Sequence, residues 1–427
     1  MMNNVVLEPD RPTGVSDSEL LEAVKQSVSG ISLNKVLLIP PDYTRMHSGA
    51  GKITAMYYKL LKETCEIDIM PALGTHEPMS EWECSRFFGD EIPYSAVIKH
   101  NWRTDIEKIG EVPAGFVSEV SGGLVTTAID VEVNRRLLDK SYDLIISIGQ
   151  VVPHEVVGMA NYSKNILVGC GGSSMINSSH MLGAFYGLER IMGKDFSPVR
   201  RVFDYAEEHF LTDIPLMYAL TVTTADEDGA VIIHGVYMGR DRELFERAVK
   251  LSQQKNLIFV EKPLKKVVVN LDETEFKSTW VGNKAVYRTR MAIMDNGELI
   301  VLAPGVKKFG EDSVNDLLIR KYGYAGRVNV LKLCDENTDL RANLSVAAHL
   351  IHGSSDGRFS ITYCTGKLTK EEVESVNFNY MPIEEALKIY DPSKLKDGFN
   401  TLDSGEEIYY ISKPALGLWA EKARFEI

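Results

Sequence analysis

Val36-Leu37-Leu38-Ile39-Pro40-Pro41-Asp42-Tyr43-Thr44-Arg45 runs from consecutive aliphatic residues straight into a polar loop. A short apolar run closed by turn residues reads as a strand, and the proline pair ends it. The same arrangement recurs twice. Ile67-Asp68-Ile69-Met70 precedes Gly74-Thr75-His76, and Leu144-Ile145-Ile146-Ser147-Ile148 precedes Pro153-His154. In open α/β sheets ligands bind outside the carboxyl ends of the strands, so these loops are expected to converge on one crevice.

Working outward, the first 260 residues alternate short β-branched runs with longer helical patterns. Further strands are expected at Glu66 to Ala72, Ala96 to Lys99, Ile166 to Val168 and Leu257 to Glu261, with helices at Ala55 to Thr64 and Asp241 to Gln254. Strands separated by helices imply parallel pairing and a layered α/β domain. Lys262-Pro263-Leu264-Lys265-Lys266 breaks the pattern, after which Val267 to Leu271, Leu299 to Ala303, Val328 to Leu333 and Phe359 to Cys364 read as strands. Asp312 to Lys321 and Asn343 to Ile351 read as the helices between them. The expectation is a two-domain α/β protein with mostly parallel sheets: residues 1–265, then a smaller unit at 266–427, with the active site in the cleft between them.

A chain of 427 residues, 44% hydrophobic, can bury a large core. Its formal charge of −13 argues against nucleic acid or an anionic membrane as partner and leaves a small molecule as the default. Five scattered cysteines, never in Cys-x-x-Cys spacing, indicate neither a disulfide framework nor a thiolate metal cage. The first residues lack the pattern of a signal peptide, no apolar run reaches bilayer length, and the expected location is the cytoplasm.

The polar residues beyond the strands carry the chemistry. Arg45 offers a planar fork for a carboxylate, against the alternative of a surface pair with Asp42. His76 and His154, from different strands, are able to stand on opposite faces of one substrate carbon, although a direct metal pair fits the residue types equally well. Lys164 is either a solvated surface cation or a partly desolvated nucleophile. His180 reads as a helix-start residue or a single metal ligand. Gly169-Cys170-Gly171-Gly172-Ser173-Ser174 marks a turn that would suit an anion, while matching no phosphate-loop consensus. His47 reads as a bystander, and His100, His209, His234, His349 and His352 as structural. No His-Glu-x-x-His, Gly-x-Ser-x-Gly or EF-hand loop occurs.

Taken in order, Asp42-x-Thr44-Arg45, Gly74-Thr75-His76, Pro153-His154, Lys164 ten residues later and His180 sixteen after that resemble the nickel-dependent lactate racemase family. The resemblance implies an isomerase, a racemase or epimerase inverting C2 of a 2-hydroxy acid by hydride transfer to and from a nickel-pincer nucleotide. That cofactor is the nickel complex of pyridinium-3,5-bisthiocarboxylic acid mononucleotide, and the first domain would carry it. On this reading Lys164 anchors the cofactor covalently, with Asp42 and Thr44 beside it. His180 supplies a nickel ligand, His76 and His154 are the acid/base pair, Arg45 positions the substrate, and Lys284 is the substrate-side lysine of the second domain. Two departures stand out. Asn161-Tyr162-Ser163 occupies the place of the family's Gly-Gly-Arg before the anchor lysine, and Trp280-Val281 that of its second-domain glutamine. The second implies a substrate other than lactate, from short hydroxy acids to sugar acids such as aldonates. Two alternatives come from the residues themselves: a zinc-type hydrolase or lyase using His76, His154 and His180 directly, and a sugar-acid binding protein using Arg45.

Overall fold

Lys35–Ile39 is a strand whose side chains are buried on both faces: Leu37 and Ile39 enter one hydrophobic core, Val36 and Leu38 the other. A strand covered on both sides needs no polar alternation, which is why it reads as a continuous aliphatic run. In the computed structural model, which describes residues 3–226 and 229–426, the chain divides into two compact units. The first comprises Met1–Leu182 and Met192–Asn256, the second Gly183–Ile191 and Leu257–Ile427.

The first unit is built on a six-stranded sheet of β1 (Val5–Leu7), β2 (Lys35–Ile39), β3 (Glu66–Ile69), β6 (Leu144–Gln150), β9 (Leu216–Ala225) and β10 (Val231–Gly239), in the order β1-β10-β9-β6-β2-β3. The four strands β9, β6, β2 and β3 run parallel, and β10 and β1 close one side antiparallel. Antiparallel ribbons β4–β5 (Ile106–Val112 with Ile129–Asn134) and β7–β8 (Pro153–His154 with Gly158–Met159) are added to this frame.

The second unit carries its own six-stranded sheet, ordered β15-β14-β13-β12-β17-β16, from β12 (Leu264–Asn270), β13 (Ile293–Leu302), β14 (Phe359–Thr365), β15 (Asn379–Pro382), β16 (Gly398–Thr401) and β17 (Glu407–Ile411). Only β16 is antiparallel to its neighbour. β11 (Leu257–Val260) and β18 (Leu418–Glu421) form a separate parallel pair in the same unit. The α/β class with largely parallel sheets is therefore as expected.

Several elements differ from their expected form. Val328 to Leu333 lies in a helix, Arg327–Glu336: its β-branched residues suggest a strand, but Val330 and Cys334 are buried one turn apart while Val328 is 81% exposed. Ile166 to Val168 sits in a π-helical turn, Asn165–Gly169, whose residues are all buried. Ala96 to Lys99 begins in a short 3-10 turn and contributes a single bridge, Ile69 to Val97. The Gly-Ser turn at 169–174 does open a helix, Ser173–Tyr186, yet its anion is intramolecular: Glu132 Oε2 accepts the Ser174 N–H at 3.0 Å, and a Cβ on Gly172 would lie 2.3 Å from that oxygen.

Candidate active site

The parallel pairing of β2 with β3 continues into their loops. The Ala72 N–H donates to the Pro40 carbonyl at 2.8 Å, and Pro41 bridges Ala72, so the two chains leave the sheet side by side. That register brings Asp42 against His76. Asp42 is buried; its Oδ1 accepts from the Thr44 N–H (2.9 Å) and hydroxyl (2.6 Å), and its Oδ2 is paired with His76 Nδ1. Burial alone would raise the carboxyl pKa, but the His76 imidazole, Thr44 and the nearby Arg45 charge together hold it well below the ordinary range. Asp42 is thus an anion, His76 Nδ1 carries the shared proton, and Nε2 is the nitrogen left for chemistry. Arg45 follows in a non-helical conformation, half-buried, with no hydrogen bond or ion pair from its guanidinium to a described residue.

His154 lies in the β7 arm of the short hairpin beyond β6. It is buried, and its Nδ1 accepts the Val156 N–H at 3.1 Å, which places the neutral ring's proton on Nε2. The hairpin tip adds Glu155, whose carboxylate is 3.6 Å from His154 Nδ1.

Lys164 starts the π-helical turn, and its amine makes no hydrogen bond or ion pair with a described residue. Burial first, then the Arg45 charge, push its pKa down to about 8 against the opposing pull of Glu155 and Asp42, with Arg200 adding to the depression. His180 sits within the helix Ser173–Tyr186, where its Nδ1–H donates to the Ile176 carbonyl at 2.6 Å. Burial and then the Lys164 charge lower its pKa to about 4. It is a neutral imidazole whose Nε2 has no hydrogen bond to a described residue.

The first unit therefore brings together Asp42, Thr44, Arg45, His76, Lys164 and His180, and Glu155 links His154 to them. Lys284 belongs to the second unit. There it opens the helix Lys284–Thr289, buried, 3.7 Å from the Glu275 carboxylate and 5.2 Å from the Phe276 ring centroid. Sequence reasoning missed Glu155 and Arg200. Glu155 had its place beside His154 as a signal; Arg200, inside an amphipathic helix, had none.

His100 has a structural place, its Nδ1 accepting from Asn134 Nδ2 (2.9 Å) and its Nε2–H donating to the Gly171 carbonyl (3.2 Å). His234 bonds Thr224, and His349 bonds Tyr324 and stacks on Trp280. Among the described residues no group of three or more His, Cys, Asp or Glu is gathered to hold a metal ion, an arrangement that a zinc centre of His76, His154 and His180 would require.

Parallel strands that deliver acid/base and nucleophilic groups to one edge of a doubly covered sheet define an α/β protein of enzyme type. Residues 17–190 match the family described as lactate racemase N-terminal domain, the family expected from the motifs. Among solved structures, a protein from Thermotoga maritima is similar over 97% of this chain and 100% of its own, with a TM-score of 0.83 and 25% identity. The lactate racemase apoprotein from Thermoanaerobacterium thermosaccharolyticum is similar over 96% of this chain and 90% of its own, with a TM-score of 0.62 and 16% identity, a likeness of fold. No curated protein matches the chain.

The donor set fits a cofactor that brings its own metal. Covalent attachment needs an uncharged amine, which a half-buried lysine titrating near 8 supplies. Ligation needs a neutral imidazole fixed through its other nitrogen, which the Ile176 carbonyl provides for His180.

Proposed function

We propose that the chain is a racemase or epimerase of 2-hydroxy acids, using a nickel-pincer nucleotide anchored on Lys164 with His180 as a nickel ligand. The observation that carries this reading is the pairing of an unpartnered, desolvated Lys164 amine with a neutral His180 ring, beside the Asp42–His76 couple, in a stretch that matches the lactate racemase N-terminal domain. When bound, the group held by Lys164 and His180 would supply a hydride acceptor and donor for the α-hydrogen of the substrate.

The chain's own residues do the rest. Arg45 holds the substrate carboxylate through its open guanidinium fork. His76, its Nδ1 proton held by Asp42, presents the Nε2 lone pair and takes the proton of the C2 hydroxyl. His154, once it takes a second proton on Nδ1 beside the Glu155 carboxylate, is an imidazolium and gives its Nε2 proton to the oxygen when the planar 2-oxo acid is attacked from the other face. One turnover leaves His76 doubly protonated and His154 neutral; turnover in the reverse direction, or exchange with solvent, resets the pair. Glu155 offsets the cations around Lys164. Lys284 is proposed as a substrate-side cation, and its burial next to Glu275 suits an amine kept charged. The substrate class proposed runs from short 2-hydroxy acids to sugar acids such as aldonates; Tyr43, Ser48, Asn161, Tyr162 and Asn283, whose side chains are buried in the protein, do not select between them.

Proton NMR in deuterium oxide, with cofactor-loaded protein and a Lys164→Ala control, tests the reading across 2-hydroxy acids and aldonates. Epimer formation with the α-hydrogen retained, lost in the control, supports it. Exchange of that hydrogen for deuterium points to proton abstraction and overturns it.

A further inference from the structure

The turn that leads into Lys164 is held in a shape that Asn161 tolerates and Tyr162 disfavours. Asn161 and Tyr162 both adopt left-handed backbone angles, with φ of 67° and 57°. For a bulky L residue this region costs on the order of 1–2 kcal/mol, and such angles persist only where the surroundings impose them.

Arg200 is the imposing group. It is fully buried in the first turn of the helix Pro198–Phe210. Its Nη1 donates to Ser163 Oγ at 2.8 Å, and its Nη2 to the carbonyls of Met159 (2.7 Å) and Asn161 (3.2 Å). These contacts fall before, within and after the left-handed pair. The helix start is itself tied to the same hairpin, since Ser197 Oγ accepts the Arg200 N–H (3.0 Å) and donates to the Val157 carbonyl (2.9 Å). Phe245 packs 4.5 Å from the guanidinium, and the Tyr162 ring is wedged between Tyr218 and Phe245. The nearest carboxylates, Asp195 and Asp204, are taken by Arg242, at 2.8 and 3.2 Å. Arg200 therefore spends its donors on one short turn, with Nε left without a partner. A buried guanidinium is expensive, and a neutral side chain would fill this space at lower cost.

We propose that Arg200 is a positioning residue that clamps residues 159–163 in their left-handed form and thereby fixes the Lys164 amine in the site. The inference rests on the proposed function only in taking Lys164 as the group to be presented. The planar fork reaches Ser163 from one nitrogen and the two carbonyls from the other; a lysine keeps the charge but gathers its donors on a single nitrogen and loses the clamp.

The test is trace acylation of the cofactor-free chain by acetic anhydride near pH 8, reading Lys164 against exposed Lys250 by mass spectrometry. In the native chain Lys164, faced by Arg45, Glu155, Asp42 and Arg200, is expected to react faster than Lys250. Arg200→Met and Arg200→Lys are both expected to bring Lys164 several-fold down toward the Lys250 rate. Adding Asn161→Gly, which lets that position adopt positive φ freely, is expected to restore part of the difference, a rescue that general destabilisation would not show. Ser163→Ala, which deletes a single contact, supplies a milder variant should Arg200→Met fail to fold, and an intermediate rate is expected. A native rate in Arg200→Lys and Ser163→Ala overturns the proposal. Loading the native chain and finding no mass adduct on Lys164 would count against the proposed function and leave this result intact.

Discussion

Asp42 and His76 stand 34 positions apart in sequence and face each other as carboxylate and imidazole at the ends of neighbouring parallel strands. The carboxylate fixes which nitrogen of the ring carries the proton. Asp42→Asn keeps the shape but removes the charge, and its amide can present N–H to the ring and reverse the tautomer. Turnover is expected to fall by about two to three orders of magnitude with KM nearly unchanged. Steady-state kinetics on both epimers checks this, and an equal loss in KM would show that Asp42 serves binding instead.

His76 and His154 carry their resting protons on different nitrogens. Each is needed in both directions, once as acceptor and once as donor. His76→Gln and His154→Gln are therefore each expected to slow both directions by about 100-fold or more. Substrate affinity, measured by calorimetry, is expected to survive. A variant that slows one direction alone is ruled out by the equilibrium constant, so unequal losses at saturation must appear as unequal KM values.

His100 gives a pH prediction independent of the reaction. Burial outweighs its hydrogen bond to the Gly171 carbonyl and lowers its pKa from 6.5 to about 4. The folded state thus binds its proton less readily than the unfolded chain. The stability tied to the neutral ring is complete above 6.5 and is lost as pH falls toward 4. At about pH 5 the loss is on the order of 1–2 kcal/mol. Urea unfolding of native chain and His100→Gln across this range should show a shallower pH slope in the variant.

Gly171 lies where the π-helical turn meets the helix that carries His180. A Cβ there would sit 1.8 Å from the Leu167 carbonyl oxygen. Gly171→Ala is expected to cost about 2–4 kcal/mol, read as a lowered urea midpoint. Gly30→Ala is the comparison. Its Cβ meets open space, and only its φ of 77° disfavours the change.

The strands that carry the site were legible because burial on both faces writes itself as aliphatic runs, as at Val36 to Ile39 and Leu144 to Ile148. The polar residues beyond them were legible by position alone. Val328 to Leu333 misled because β-branched residues favour strands locally, whereas the burial of Val330 and Cys334 needed a helix. Ile166 to Val168 misled because a short, fully buried apolar run has the same appearance in a strand and in a helical turn. Glu132 at the start of the His180 helix, and Arg200 behind Lys164, act across chain separations that no local pattern records.

Asn161 and Tyr162 hold a backbone shape that glycine adopts without penalty, and they do so inside a shell of aromatic rings and a buried cation. Such a turn is a ratchet on sequence change. Once the shell exists, the turn residues are free to acquire side chains. A glycine pair would keep the Arg200 contacts, which go to the Met159 and Asn161 carbonyls and to Ser163, but would leave a cavity between Tyr218 and Phe245, so the surroundings require the ring they enclose.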